Sequence, residues 1–295
     1  MKGLAYIQIA LAGASVILAA CPQVKADMRQ HWRYAGGPPM FMPNEASECA
    51  LSRGEQVRIL RRKGYDVGFA PRLGLCLWVA YSLVPGDVTN MVGRIGNFKR
   101  DFDVWNEVVG PESYAGSGYD RGHMAPSQDM QYDLEVSRQS FWMANIIPQT
   151  PRLNRGSWKG LESRIHATVV PDPESGDSPA DRVFVMAGPI FDRLTLAQFE
   201  EERQNYEKNG KQGCAPLLKP RECWKIYKCC ASTCAVIFDQ SGKAQSTTVK
   251  EISRRTGLVF FNDLPPGLKR YHESVCRMIY PNKTEMRNKD DNEKQ

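Results

Sequence analysis

The sequence predicts an α+β fold, on three observations. Tyr65, Val67 and Phe69 alternate with Asp66 and Gly68, and Leu75 to Tyr81 follows as a mostly apolar run. Strict alternation marks a half-buried strand and a short apolar run marks a more buried one. The turn-forming Pro71-Arg72-Leu73-Gly74 between them implies an antiparallel pair. Further on, Trp158, Leu161 and Ile165 recur at helical spacing, and no proline intervenes from Asn154 to Pro171. Single strands and helices then alternate along the chain with no internal repeat, as in an α+β domain.

The elements follow in order. Residues 22–50 are dense in Pro, Gly and Met and read as a tether and an irregular lead-in. The basic run Arg58, Arg61, Arg62 and Lys63 reads as a solvated helix face, able also to guide a polyanion. Residues 82–119 are irregular. Asp133 caps a short helix ending near Gln139, and Phe141 to Ile147 is an apolar run stopped by Pro148. A helix spans Asn154 to Ala167. Pro171 to Asp181 is an acidic loop, Val183 to Ala187 a strand closed by Gly188-Pro189, and Thr195 to Lys219 a long polar segment. A strand lies near Trp224 to Tyr227, and a helix over residues 247–255 is closed by Gly257. The charged tail after Asn282 is expected to be disordered.

The chain has 295 residues, 39 Lys+Arg against 33 Asp+Glu, 42% hydrophobic residues and nine cysteines. That composition excludes a disordered or collagen-like chain. A net charge of +6 suits a polyanionic partner without demanding one. Lys2 followed by an uncharged run from Gly3 to Val24 makes a secretory signal. Leu18-Ala19-Ala20-Cys21 has the form of a lipobox, which implies a membrane partner through lipidated Cys21. Cleavage near Ala26, or an uncleaved anchor or mitochondrial segment, are the alternatives, and every version places the body outside the cytoplasm. Removing residues 1–20 takes away Lys2 alone, leaving +5 and nine cysteines. With Cys21 set aside as the lipid site, eight remain for an oxidising compartment, where disulfides are expected. Cys214, Cys223, Cys229, Cys230 and Cys234 lack paired zinc-knuckle spacing, so a zinc site is disfavoured.

The expected organisation is therefore a signal peptide over 1–20, a tether and lead-in over 21–55, a catalytic domain over 56–282 with a Cys-rich segment at 214–234, and a tail over 283–295.

Chemistry concentrates in two clusters. Of His31, His123, His166 and His272, only His123 sits among dense polar residues, in Tyr119-Asp120-Arg121-Gly122-His123-Met124-Ala125-Pro126. Imidazole suits proton transfer near neutrality, and guanidinium suits bidentate phosphate contact. The second cluster runs from Asn145-Ile146-Ile147-Pro148-Gln149 into Leu153-Asn154-Arg155-Gly156-Ser157-Trp158-Lys159-Gly160-Leu161-Glu162. On a regular helix Asn154 and Glu162 differ by about 80°, roughly one face two turns apart. Both carry hard oxygen donors of the kind Mg²⁺ prefers. An N-cap asparagine and a solvated glutamate would be the structural alternative.

These clusters resemble the DNA/RNA non-specific endonucleases of the ββα-metal class. Asp120-Arg121-Gly122-His123 matches the DRGH signature. Asn145-x-x-Pro148-Gln149 and Leu153-Asn154-x-x-x-Trp158-x-x-Leu161-Glu162 match the second block. Weaker echoes are Gly64 to Phe69, Ala187 to Phe191 and Thr256 to Phe261. The resemblance covers about residues 56–280. It implies a ββα-metal fold, a central, mainly antiparallel sheet flanked by helices. It implies hydrolysis of DNA and RNA with a divalent metal, Mg²⁺ first and Mn²⁺ as the alternative. It assigns His123 as general base, Asn154 as the direct metal ligand, Glu162 as the orienter of metal-held water and Arg121 as the stabiliser of phosphate charge. Asn145 and Asp120 support the geometry. Arg94 and Arg100 are both candidates for an upstream phosphate contact. A small residue is usual where Gln128 stands. A non-catalytic surface lipoprotein that binds nucleic acid, or a phosphodiesterase for a small substrate, are the other readings.

Overall fold

The computed structural model describes residues 57–258 and 260, apart from 90, 171–179, 181, 212–214 and 230–231. His31, His272, Cys21, Cys49, Cys214, Cys230, Cys276 and the expected signal, tether and tail lie outside the described residues. The strands are β1 (Arg58–Arg61), β2 (Tyr65–Ala70), β3 (Leu75–Leu83), β4 (Asp120–His123), β5 (Ile146–Gln149), β6 (Val183–Ile190), β7 (Glu222–Cys229), β8 (Ser232–Asp239) and β9 (Ala244–Thr247). The α-helices are α1 (Pro85–Thr89), α2 (Leu134–Gln139), α3 (Lys159–Ala167), α4 (Arg193–Lys208) and α5 (Val249–Thr256). Seven strands form one sheet in the order β1-β2-β3-β6-β7-β8-β9, antiparallel at every step. β4 and β5 form a separate antiparallel pair, and α3 follows it, completing the ββα unit.

Side chains alternate across a strand, so the sheet has two faces. Cys223, Lys225 and Tyr227 of β7 share a face with Phe238 of β8. On that face Trp158 meets Phe238 edge-on at 5.3 Å. Leu161 and Ile165 join it in the core, so the expected apolar stripe of this helix is its buried side. Full burial of side chains of this size is worth about 1.5–3 kcal/mol each. On the opposite face Trp224 packs on Phe260 at 5.3 Å.

Several expectations need correction. The basic run at 58–63 is not a helix face. Arg58–Arg61 is edge strand β1, and Arg62 is almost buried, its guanidinium held by Asp101 and Asp103. The polar segment after Thr195 begins with the sixteen-residue α4, capped by Asp192, whose side chain accepts from Thr195 N. Its stripe is thin, with Leu196 and Phe199 buried and Leu194 exposed, while Arg203 pairs with Glu200 and Glu207 one turn either side. β6 runs through Gly188-Pro189 to Ile190 rather than stopping there. Within the Cys-rich segment, β7 and β8 form a hairpin. Cys76 and Cys223 are free, fully buried thiols rather than disulfide partners. Burial pushes the Cys223 thiol up to about 12 and Cys76 higher still, so both are inert.

The helix expected over 154–167 is present but not regular. Residues Leu153–Trp158 wind as a π-helix, with Gly156 outside helical geometry at φ −102°, ψ −112°, before α3 begins. The 80° phase between Asn154 and Glu162 therefore does not describe how they come together. Asn154 is not the N-cap; Arg152 holds that position.

Candidate active site

The β4–β5 pair is the platform of the site. Its register sets Asp120 against Gln149, Arg121 against Pro148 and His123 against Ile146. Gly122 is required by close approach: a Cβ there would lie 2.2 Å from Gln149 Oε1. Just before β5, Asn145 is fully buried and ties the turn after β4 by hydrogen bonds to Ala125 and Ser140. Its Oδ1 accepts from Ala125 N at 2.8 Å, and its Nδ2 donates to Ala125 O at 2.9 Å and Ser140 O at 2.8 Å. It is not among the cavity's lining residues, and it braces the backbone two residues after His123.

A cavity of about 970 Å³ opens beside this platform. Its walls include Arg94, Arg121, His123, Asn154 and Glu162, brought from a loop, a strand, a π-turn and a helix. Arg100 is not among them. It is turned away, donating to Val108 O at 2.6 Å and pairing with Glu112. Of the two upstream arginines, only Arg94 faces the cavity.

The His123 ring lies between Phe98, at 5.3 Å, and Phe141, at 5.1 Å edge-on. Its Nε2 is buried without a hydrogen-bond partner. Burial pushes the imidazole down to about 3, and the charge of Arg94 adds to this. It is therefore neutral at pH 7 and able to accept a proton. A phosphate anion entering the cavity favours the imidazolium and raises that proton affinity. Arg94 stacks over Phe141 and Arg121 over Phe98, at 4.8 and 4.5 Å. Among the described residues neither guanidinium has a carboxylate within salt-bridge distance, although the Arg121 charge helps to hold Asp120 low.

Asp120 accepts both Arg155 Nε and Nη2 at 2.8 Å and Asn154 Nδ2 at 2.9 Å. The Arg155 guanidinium, and then the Asn154 amide, hold Asp120 below the ordinary carboxylate range. A carboxylate can only accept, so this contact orients the Asn154 amide with its NH₂ toward Asp120. The amide oxygen, the harder donor, is the atom left to face the cavity. That arrangement fits an oxygen-seeking divalent ion. Among the described residues no three His, Cys, Asp or Glu side chains cluster as a metal cage. Mg²⁺ keeps several of its waters and does not need such a cage.

Glu162 is held from beneath. Its Oε1 pairs at 2.9 Å with Lys225 Nζ, a fully buried ammonium that lies 4.1 Å over the Trp158 ring. Trp158 Nε1 in turn donates to His123 O at 3.3 Å. Burial pushes Glu162 above the ordinary carboxylate range, and Lys225 pulls it part of the way back. Asp129 also lines the cavity, accepting from Tyr81 at 2.9 Å and meeting His166 Nδ1 at 2.8 Å. His166 is thus in a structural pair.

The comparisons fit this geometry. The profile of the DNA/RNA non-specific endonucleases matches residues 43–267. The chain belongs to the DNA/RNA non-specific endonuclease family. This endonuclease is 34% identical to a nuclease of Nostoc sp. over 266 residues, covering 79% of this chain and 82% of that one. It is 26% identical to the Serratia marcescens nuclease, covering 77% and 83%, and 26% identical to mitochondrial endonuclease G of Bos taurus, covering 65% and 60%. Its fold is similar to a crystal structure of the EndoG/EndoGI complex, with a TM-score of 0.55, 19% identity and coverage of 71% of this chain and 88% of that one. It is accordingly a phosphodiester hydrolase of a metal-dependent family.

Sequence reasoning missed Lys225, Arg155 and Asp129. Arg155 had a signal, since it sits beside Asn154 in the motif. Lys225 had none, because a lysine inside Trp-Lys-Ile-Tyr reads as the solvent side of a strand.

Proposed function

We propose that this endonuclease is exported and cuts DNA and RNA without regard to sugar or sequence, using a Mg²⁺-type ion, with Mn²⁺ as the alternative, and His123 as general base. The observation that carries this is the convergence on one cavity of a neutral imidazole whose Nε2 has no hydrogen-bond partner, an oriented amide and two arginines with no carboxylate within salt-bridge distance among the described residues. Arg94 and Arg121 bind the non-bridging oxygens of the scissile phosphate. His123 takes the proton of the attacking water through a ring nitrogen. Asn154 would hold the ion through its amide oxygen, and Glu162, whose charged form Lys225 favours, would orient water beside it. The ion, when bound, neutralises charge on the leaving oxygen. Contacts to phosphate carry no sequence information, so single and double strands of both nucleic acids are substrates.

The test is digestion of plasmid and of RNA by the chain with Mg²⁺, alongside His123→Ala. Loss of general-base catalysis costs about 10²–10⁴-fold. Intact nucleic acid with the wild type, or full activity in the variant, would overturn the proposal. The export half rests on Lys2, the apolar run and Cys21. Labelling by fatty acid that is lost in Cys21→Ser supports a lipid anchor, and an unlabelled chain removes it.

A further inference from the structure

Beyond the cavity, the described surface carries a shelf of aromatic rings that the site chemistry does not use. Phe102 is 64% exposed and Trp105 49% exposed. Their rings are stacked, with centroids 5.8 Å apart and planes 20° from parallel. Phe102 meets the half-buried Trp142 edge-on at 6.0 Å. Lys99 Nζ lies 5.1 Å over Phe102 and 5.7 Å over Trp142. Lys99 has no carboxylate within salt-bridge distance among the described residues, whereas its neighbours Arg62 and Arg100 are spent on Asp101, Asp103 and Glu112.

The backbone of Lys99 is tied to the segment that flanks the site. Lys99 N donates to Phe141 O at 3.3 Å, and Met143 N donates to Lys99 O at 2.9 Å. The loop is therefore pinned to the segment that carries Trp142. One residue back on each strand of this contact stand Phe98 and Phe141, the two rings against His123. Along the chain Lys99 follows Phe98, which lines the cavity, and the exposed rings follow Lys99 outside it. Stacked rings with an unpaired cation are what unpaired bases and their phosphates recognise, and this recognition is indifferent to sequence. A duplex, whose bases are already stacked and enclosed, gains little from such a surface. Three acids lie nearby in the chain, but Asp101 is buried, Asp103 is paired with Arg62 and Glu107 with Arg58.

We propose that Phe102 and Trp105, backed by Lys99 and by Trp142 (itself covered by Arg62 at 4.8 Å), form a stacking shelf that receives the unpaired bases of single-stranded DNA or RNA flanking the bond being cut. This deepens the nuclease reading and rests on it. The experiment uses the full chain in a His123→Asn background, so that the probe survives. Binding of a fluorescent oligothymidylate and of a blunt hairpin duplex is measured with and without Phe102→Ser/Trp105→Ser. Loss of stacking should weaken the single strand about tenfold or more and leave the duplex within about twofold. An unchanged single-strand affinity, or an equal loss for both probes, would overturn the shelf. With His123 restored, the same pair of substitutions should lower cleavage of single strands relative to supercoiled plasmid. A wild type that cuts nothing defeats the nuclease reading instead. A wild type that cuts, with the substrate ratio unmoved in the double variant, defeats the shelf alone.

Discussion

Replacing Lys225 by Met isolates what the buried ammonium does for Glu162. Its Nζ lies 2.9 Å from Glu162 Oε1, with the lysine side chain fully buried and the glutamate 15% exposed. At an effective dielectric near 20 the gross attraction at that distance is roughly 6 kcal/mol. Desolvation offsets much of this, and the loss on removing one partner of a buried pair is about 3–5 kcal/mol. For a domain of this size that lowers Tm by roughly 6–20 °C. Glu162 has a way out, which is to take up a proton. Its carboxyl already sits above the ordinary range through burial, and losing Lys225 moves it further up. The acid limb of the rate profile should then shift to higher pH, with activity at neutral pH falling more than activity at alkaline pH. Plasmid nicking from pH 5 to 9 reads the limb, and calorimetry reads Tm. Glu162→Gln in the same chain should recover most of the lost stability, because no charge is then left unpaired. If Lys225→Met lowers Tm without moving the pH limb, or if the double variant is as unstable as the single one, the pairing is packing alone and the reasoning fails.

The other expectations are shorter. Asp120→Ala removes the acceptor that orients the Asn154 amide, and should raise the Mg²⁺ concentration for half-activity about 10–100-fold, read by metal titration of the rate. Arg94→Ala should reduce the salt dependence of DNA binding by about one phosphate contact, whereas Arg100→Ala, outside the cavity, should leave that slope unchanged. His123 should tax stability in acid. The folded imidazole is depressed to about 3 while the unfolded one titrates near 6.5, so below 6.5 the unfolded state binds the extra proton. Stability therefore falls as pH drops from 6.5 toward 3. Denaturant melts at pH 4, 5 and 6 should give His123→Asn a shallower decline than the wild type, by up to about 1.4 kcal/mol per pH unit.

What the sequence made legible was what lies close together along the chain. Asp120 to His123 and Asn154 to Glu162 are each contiguous, and each carries its own local signal of glycine, cap or apolar period. The antiparallel β2–β3 pair was legible for the same reason, as alternation on both sides of a turn. Helix α4 was hidden because its buried stripe is only Leu196 and Phe199, with charge pairs filling the rest. β1 looked helical because arginines at 58, 61 and 62 fit a helix period, while the edge of a sheet tolerates them equally. The π-winding at Gly156 left no trace in the apolar spacing, since Trp158, Leu161 and Ile165 all lie beyond it. Lys225 depends on a glutamate 63 positions away and on the face of β7 that the sheet presents to α3.

The place of Lys225 has a consequence for how the enzyme would fail. β7 is flanked by β6 and β8 along its whole length, so its amides should be among the last to exchange with solvent. The counter-charge of Glu162 is therefore tethered to the most cooperative unit of the domain rather than to a fraying loop. Loss of function on heating should then coincide with global melting in a single step, with no inactive but folded species preceding it.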